Sequence, residues 1–186
     1  MHFLRLLRIF LPLLIVAAIV AGGVVVFTSR SDLQSARRHV DDTWKPLRAA
    51  LDTRYGTLAT ADNAVRATPG PLHQIVVQID RAYADWRNLE ANGADVASQV
   101  TEANALEALG RRLVLAARAA PRLVGDVPAI GSVNSYAALA SPNALAAPFQ
   151  AAVSHYERER NRPARRLAAS VLGYKSVPAY DASGSA

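Results

Sequence analysis

The longest unbroken run of apolar side chains lies near the amino end of the sequence, from Ile9 to Phe27. At about 1.5 Å per residue, a helix of this length crosses a hydrocarbon core of about 30 Å. Backbone groups left unpaired in hydrocarbon cost several kcal/mol each, so the segment must be a helix, and Pro12 is tolerated in its first turn. The pattern predicts an N-terminal transmembrane helix within residues 1–30.

A cleaved signal peptide is the alternative reading of the same run. The apolar region of a signal peptide usually has about 7–15 residues and ends at a pair of small residues. Here Ile19 and Ala21 would occupy the critical positions, and apolar residues continue past them. Basic residues flank both ends, so the positive-inside rule is balanced. Similarity to an ordinary signal-anchor predicts a single-pass protein of the cell membrane whose following domain is extracytoplasmic.

Beyond the anchor, apolar positions recur with the period of an α-helix. The first stripe contains Val40, Trp44, Leu47, Leu51, Leu58 and Val65, with Tyr55 at its edge. It predicts a first helix from about Ser31 to Ala67. Pro46 lies within this stripe and predicts a kink or, alternatively, a helix that starts at Asp41 or Asp42.

Two further stripes follow the Pro69-Gly-Pro71 break. The second comprises Leu72, Ile75, Ile79, Tyr83 and Trp86, and the third comprises Val96, Val100, Ala103, Leu106, Leu109, Leu113 and Ala117. They predict one helix ending near Asn92-Gly93 and another ended by Pro121. Gly110 costs up to about 1 kcal/mol relative to alanine inside that third helix, so packing or a bend should explain it.

The carboxyl-terminal third is interrupted by four prolines and a glycine between residues 127 and 163. Apolar residues near one face still predict a further helix: Tyr136, Leu139, Leu145, Phe149, Val153 and Tyr156. The pattern is clearest from Phe149 to Arg160. A short apolar unit, residues 167–174, follows Pro163, and the tail of residues 181–186 is predicted to be disordered.

These elements predict an all-α fold, in which the N-terminal transmembrane helix is followed by an elongated antiparallel bundle of three or four long helices. The bundle domain is expected to occupy residues 31–180. Its length is the usual size of one domain.

Composition and charge narrow the classes of function. The chain has no cysteine, which excludes disulfides, thiolate nucleophiles and thiolate zinc sites. Its formal net charge of +6 suits anionic lipid or nucleic acid. Lipid is the better fit for a chain held at a bilayer, and aromatic residues are not interleaved with the basic ones as in a nucleic-acid interface. We therefore expect no nucleic-acid partner.

The most basic segment runs from His155 to Arg166. It carries Arg158, Arg160, Arg162, Arg165 and Arg166 against only Glu157 and Glu159. One interpretation is a surface that binds anionic lipid, phosphate or an acidic protein. The other is a solvated helix end whose basic residues complement the helix dipole.

Motifs that carry catalysis or bind a metal are absent from the sequence. The four histidines show no i, i+4 pair, and there is no HExxH, P-loop, GxGxxG or Gly-x-Ser-x-Gly. Asp80 and Asp85, like Glu102 and Glu107, are five residues apart, a spacing that separates side chains on a helix. No catalytic, cofactor-binding or metal-binding residue is predicted.

The carboxyl-terminal residues resemble the end of LemA family proteins. The matching features are Tyr156-Glu-Arg-Glu-Arg-Asn161, Pro163, Leu167-Ala-Ala-Ser-Val-Leu-Gly-Tyr-Lys175 and Pro178-Ala-Tyr180. Residues 40–44 with Arg54-Tyr55, and residues 115–123, are similar to the family's first helix and alanine-rich helix end. The chain departs from the family at Pro69-Gly-Pro71, Pro142 and Pro148.

The resemblance implies a divergent family member: a membrane-anchored antiparallel bundle of the bacterial cell envelope, with no catalytic residues to carry over. We expect a non-enzymatic interaction or scaffold module. Its partners would be the bilayer through residues 9–27, a protein or a second copy, and anionic lipid. The alternatives are a sensor that binds a small ligand between helices, and a membrane-associated enzyme. No cofactor is expected.

Overall fold

A computed structural model describes the backbone of residues 2–67, 71–123, 126–139 and 142–181, and the side chains from residue 30 onward except residues 71, 122 and 164. The described residues form helices and no strand. The α-helices are α1 (His2–Val65), α2 (Pro71–Ala91), α3 (Val96–Arg118), α4 (Val127–Ala138), α5 (Asn143–Asn161) and α6 (Pro163–Val171). A 3-10 helix, Pro121–Leu123, precedes α4. The prediction of an all-α helical bundle is confirmed.

The predicted anchor, Ile9 to Phe27, lies outside the residues whose side chains are described. Where the side chains are described, no helix has both the length and the apolar character needed to cross a bilayer. Residues 182–186 of the predicted disordered tail also lie outside the described part.

The described chain separates into two compact units. Unit 1 contains residues up to His39 and Ser154–Ser176, whereas unit 2 contains Val40–Val153 and the residues from Val177 onward. Unit 1 therefore combines the first part of α1 with the end of α5 and with α6. The predicted bundle domain, residues 31–180, contributes to both units.

Helix α1 continues through Pro46, so the alternative start at Asp41 or Asp42 is wrong. A proline inside a helix removes one backbone hydrogen bond and costs about 3 kcal/mol. Burial of the predicted apolar stripe on both sides of the proline offsets this cost. All seven stripe residues are buried: Val40, Trp44, Leu47, Leu51, Tyr55, Leu58 and Val65.

An aromatic cluster fills the core of unit 2. Trp86 contacts Tyr55 edge-on, with ring centroids 5.2 Å apart, and Trp44 lies 5.1 Å from Phe149. Both indole N–H groups are paired: Trp44 donates to Gln99 at 2.7 Å and Trp86 donates to Asp52 at 2.8 Å. Pairing these groups avoids the cost of burying a donor without an acceptor.

A short turn joins α2 to α3, as the Asn92-Gly93 pair predicts. Gly93 has a positive φ of 59°, and the amide of Ala94 donates to the carbonyl of Leu89 at 2.9 Å, the hydrogen bond of a Schellman cap. Asp95 then caps α3 by accepting from the amide of Ser98 at 2.9 Å. Helix α3 ends at Arg118, before Pro121.

The proline-rich region forms two helices. Pro128 falls in the first turn of α4, where a missing N–H costs little, and α5 starts before Pro148 and continues through it. Of the predicted apolar face, Tyr136, Phe149, Val153 and Tyr156 are buried. Leu139 and Leu145 are exposed, because the first lies at the end of α4 and the second in the opening turn of α5.

A buried ion pair and its neighbours join four parts of unit 2. Arg54 on α1 donates two hydrogen bonds to Glu107 on α3, from Nε at 2.8 Å and from Nη2 at 3.1 Å. Arg54 also donates to the carbonyl of Leu139 at 2.6 Å and stacks over the ring of Tyr136 at 4.7 Å. The hydroxyl of Tyr180 donates to Glu107 at 3.2 Å. These contacts hold α4 and the carboxyl-terminal segment against α1 and α3.

A second acidic group of unit 2 lies buried near the end of α1. Arg66 donates to Asp80 on α2 at 2.6 and 2.7 Å and to Asp62 on α1 at 3.1 Å. The other carboxyl oxygen of Asp62 has no partner in the described part of the chain. Burial and the neighbouring Asp80 raise the pKa of Asp62 from 3.8 to about 7, although Arg66 opposes the rise. Sequence spacing could not reveal this carboxyl pair, because its members come from different helices.

Asp62 should therefore make stability depend on pH near neutrality. Its pKa is higher in the folded chain than in the unfolded chain, so its contribution is fully present below about pH 4 and is lost as pH rises through about 7. The free energy of unfolding of Asp62→Asn, taken relative to wild type, should therefore be about 1–2 kcal/mol higher at pH 8 than at pH 5.5, after allowance for screening. Chemical denaturation at both pH values measures the difference.

The exposed residue Asp42, paired to Lys45 on the same turn, supplies the control. Asp42→Asn should show no comparable pH-dependent gain. Equal pH profiles for wild type and Asp62→Asn would contradict the prediction.

Candidate functional site

The candidate site lies in unit 1, where α6 packs against α1. Leu33 of α1 is fully buried against Ala168 and Ala169 of α6, and Leu172 and Tyr174 pack around them. The two alanines lack long side chains, which lets α6 approach α1 closely. This small core positions the basic residues that the sequence singles out.

The chain reverses direction on both sides of α6. Arg162, the residue before Pro163, has extended backbone angles and ends α5, as expected before proline. Gly173 has a positive φ of 74°, and the amide of Tyr174 donates to the carbonyl of Ala169 at 2.9 Å, which again forms a Schellman cap. The Tyr156 hydroxyl then donates to the carbonyl of Lys175 at 2.8 Å.

Three of the five predicted site arginines are engaged in ion pairs. Arg160 pairs with Glu157 at 3.1 Å and donates to the carbonyl of Tyr174 at 3.0 Å. Arg162 pairs with Glu159 at 2.8 Å. Arg165 pairs with Glu159 and with Asp32 of α1, the latter at 2.6 Å. Arg160 and Arg165 thus link separate segments of unit 1, whereas the Arg162 pair is local and its guanidinium is largely exposed. All three are less available than the sequence suggests.

The other two predicted arginines, Arg158 and Arg166, are exposed. Neither makes a side-chain hydrogen bond or ion pair within the described residues. The dipole interpretation accounts for Arg158, which lies in the last turn of α5. It does not account for Arg166, because Arg166 lies in the first turn of α6, where a cation is disfavoured. The structure thus divides the cluster into three structural arginines and two free ones.

Positive charge is concentrated in unit 1. The residues of unit 1 include eleven Arg and Lys against three Asp and Glu, a formal net charge of +8. Unit 2 has ten against twelve, a formal net charge of −2. Arg30, Arg38 and Lys175 are also exposed in unit 1. The basic character of the whole chain is therefore a property of the unit that contains the predicted anchor.

A cleft of about 440 Å³ lies between α1 and the end of α5 in unit 1. Its lining includes Asp32, His39, His155, Glu159, Arg162 and Arg165. Because Arg162 and Arg165 already pair with the two acids, the cleft offers little unbalanced charge. No cluster of three or more potential metal-ligating side chains occurs in the part of the chain that was searched, the described residues.

Two features of unit 1 escaped sequence reasoning. The sequence pattern predicts one apolar unit after Pro163. In the structure its alanines are buried, whereas Leu167 and Val171 are exposed. The ion pair between Asp32 and Arg165 joins residues that are 133 positions apart. The spacing of Leu167 and Val171, one helical turn, could have indicated the exposed apolar pair. No sequence pattern indicated the ion pair.

No protein-family model, curated protein or solved structure matches this chain. The resemblance to the LemA family therefore remains a prediction from the residues that carry it.

Proposed function

We propose that this chain is a membrane-anchored helical bundle of LemA type that acts by binding rather than by catalysis. Unit 1 contacts the anionic head groups of the bilayer that holds the predicted anchor, residues 9–27. Unit 2 presents its helices to a protein partner or to a second copy. The observation that carries the proposal is the separation of charge: the residues of unit 1 that follow the predicted anchor have nine Arg and Lys against three Asp and Glu, a net +6, whereas unit 2 has −2.

The positive charge has the sign that attraction to anionic lipid requires, and it lies in the unit that contains the predicted anchor. Each basic residue near an anionic leaflet contributes about 1 kcal/mol, and this attraction falls off within about 8–10 Å at ordinary salt. Residues must therefore be close to the bilayer to benefit. Arg30 lies on α1 three residues beyond the predicted span and Arg38 eleven residues beyond it, and α6 packs on Leu33 between them.

The proposal also places the protein in the bacterial cell envelope, with both units outside the cytoplasm. The absence of cysteine makes a single introduced thiol unambiguous. Ser154, exposed in unit 1, is a suitable position for Ser154→Cys. Labelling of this variant by an impermeant thiol reagent in intact cells supports the outside location, and labelling only after lysis reverses it.

Charge reversal at the two free arginines should strongly reduce the enrichment of anionic lipid around the protein. The full chain carrying a donor dye at Ser154→Cys is reconstituted in vesicles with an acceptor on either phosphatidylglycerol or phosphatidylcholine. Wild type should transfer more energy to phosphatidylglycerol. Arg158→Glu with Arg166→Glu should reduce this local enrichment by about 30-fold or more, since two favourable charges of about 1 kcal/mol each are lost and two repulsive ones are added.

Arg81 and Arg118 of unit 2 provide the matched control, because both are exposed and make no side-chain contact among the described residues. Reversal of these two changes the net charge equally but should leave the enrichment unchanged. An equal loss in both double variants would indicate an effect of total charge and would reject a local contact through unit 1.

The sensor hypothesis has one observation in its favour, the cleft beside His39 and His155. A ligand there would lie between α1 and α5. Binding should raise the melting temperature of the wild-type chain in a panel of small anions and metabolites. A panel without any shift would count against the sensor hypothesis.

A further inference from the structure

Helix α6 exposes two large apolar side chains, one turn apart on the same face. Leu167 is 73% exposed and Val171 is 77% exposed. Residues four apart lie above one another on a helix, so the two form a continuous apolar strip. Ala168 and Ala169 are buried on Leu33, so the strip faces away from the core of unit 1.

The position of α6 along α1 sets the distance of this strip from the predicted bilayer. Leu33 follows the end of the predicted anchor, Phe27, by six residues of one continuous helix. At about 1.5 Å per residue, Leu33 is about 9 Å beyond the edge of the hydrocarbon core. The head-group layer on each side of a bilayer is roughly 5–8 Å thick. Leu33 therefore lies at the outer edge of the head groups, and side chains of α6 that project about 5–6 Å from the helix axis toward the bilayer reach into the head-group layer.

An ion pair holds the start of α6 at the same level. Arg165 contacts Asp32, the residue before Leu33, at 2.6 Å. The next residue, Arg166, is exposed and makes no side-chain contact in the described part of the chain. A guanidinium beside an apolar strip is the pattern of interfacial helices, in which basic residues contact phosphates while apolar ones enter the acyl boundary.

We propose that α6 is an interfacial helix that inserts Leu167 and Val171 into the boundary between head groups and acyl chains, with Arg166 at the lipid phosphates. The inference rests on the proposed function, since it requires the anchor to be embedded in the same bilayer. It adds a second membrane contact formed by residues 133 positions or more from the first. Such a contact opposes tilting of α1 at the point where it leaves the membrane.

The test uses the full chain with a single cysteine, either Leu167→Cys or Val171→Cys, labelled with a polarity-sensitive dye. Leu115→Cys is the control, because Leu115 is similarly exposed but belongs to unit 2. In vesicles of phosphatidylcholine and phosphatidylglycerol, emission at 167 and 171 should shift to the blue and be quenched by lipids that carry a doxyl group near the head. Emission at 115 should remain that of a dye in water.

A parallel alkaline carbonate wash distinguishes failure of this inference from failure of the proposed function. A chain that washes off the vesicles has no anchor, and the proposed function is then wrong. A chain that stays in the vesicles while the dyes at 167 and 171 report water overturns the interfacial helix alone. A blue shift that disappears as the protein-to-lipid ratio is lowered also overturns it, because a second copy then covers α6.

Discussion

Replacing Glu107 with alanine should lower the free energy of unfolding by about 3–5 kcal/mol, because it leaves the charge of Arg54 without its partner in the interior. Glu107 is fully buried and accepts hydrogen bonds from Arg54 and Tyr180. The desolvation cost of the guanidinium remains after the carboxylate is removed. Chemical denaturation followed by circular dichroism measures the loss.

Two control variants separate this mechanism from a general effect of lost contacts. Arg54→Met combined with Glu107→Leu removes both charges and should be less destabilising than Glu107→Ala alone. Lys45→Ala removes one partner of an exposed pair, whose side chains are 72% and 67% exposed, and should leave the free energy of unfolding nearly unchanged. If Glu107→Ala lowers stability as little as Lys45→Ala does, Glu107 is better hydrated than its burial indicates.

Gly110→Ala should destabilise the fold by about 2–3 kcal/mol through a steric clash. A Cβ atom at Gly110 would lie 2.0 Å from the hydroxyl oxygen of Tyr136 and 2.6 Å from its ring carbon Cζ. The ring cannot move freely, since it is buried and the guanidinium of Arg54 stacks on it. The gain in helix propensity from alanine, about 1 kcal/mol, is too small to offset the clash. Thermal and chemical unfolding both measure the effect.

Gly56 and Gly131 are matched controls, because they also lie inside helices but have open space where a Cβ would be added. Gly56→Ala and Gly131→Ala should each stabilise the fold by about 0.4–1 kcal/mol. In a Tyr136→Leu background, Gly110→Ala should lose most of its cost. If Gly110→Ala behaves like the two controls, the close approach of α4 to α3 is not as the structure has it.

The residues that carry the resemblance to the LemA family have structural roles in this fold. Arg54 and Tyr180 both hydrogen-bond Glu107 within unit 2. Tyr156 and Tyr174 belong to unit 1, where the first donates to the carbonyl of Lys175 and the second packs on the core around Leu33. The resemblance therefore bears on how the chain folds, and any function it implies has to be tested on other residues.

The helices were predictable because their signal is local. Apolar residues at helical spacing predicted α2 and α3 to within a few residues, since such a stripe must be buried somewhere. The proline-rich region was harder. Prolines within the first turn, such as Pro128, are compatible with a helix, whereas Pro148 lies further inside α5, beside the buried Phe149.

The sequence by itself determined the all-α class, the boundaries of α2 and α3 and the basic character of the carboxyl-terminal segment. It also predicted a reason for Gly110 in local packing, which the contact with Tyr136 confirms. Period, propensity and charge are properties of neighbouring residues, so they can be read along the chain without knowledge of what packs against it.

Only the tertiary structure decided which charged residues are free. Glu107 meets Arg54 across 53 positions, and Arg165 meets Asp32 across 133. Two arginines one residue apart, Arg165 and Arg166, differ in exposure and partners because only one of them faces α1. An ion pair depends on distances in space of a few ångströms, and these are set by the packing of helices that are remote in sequence.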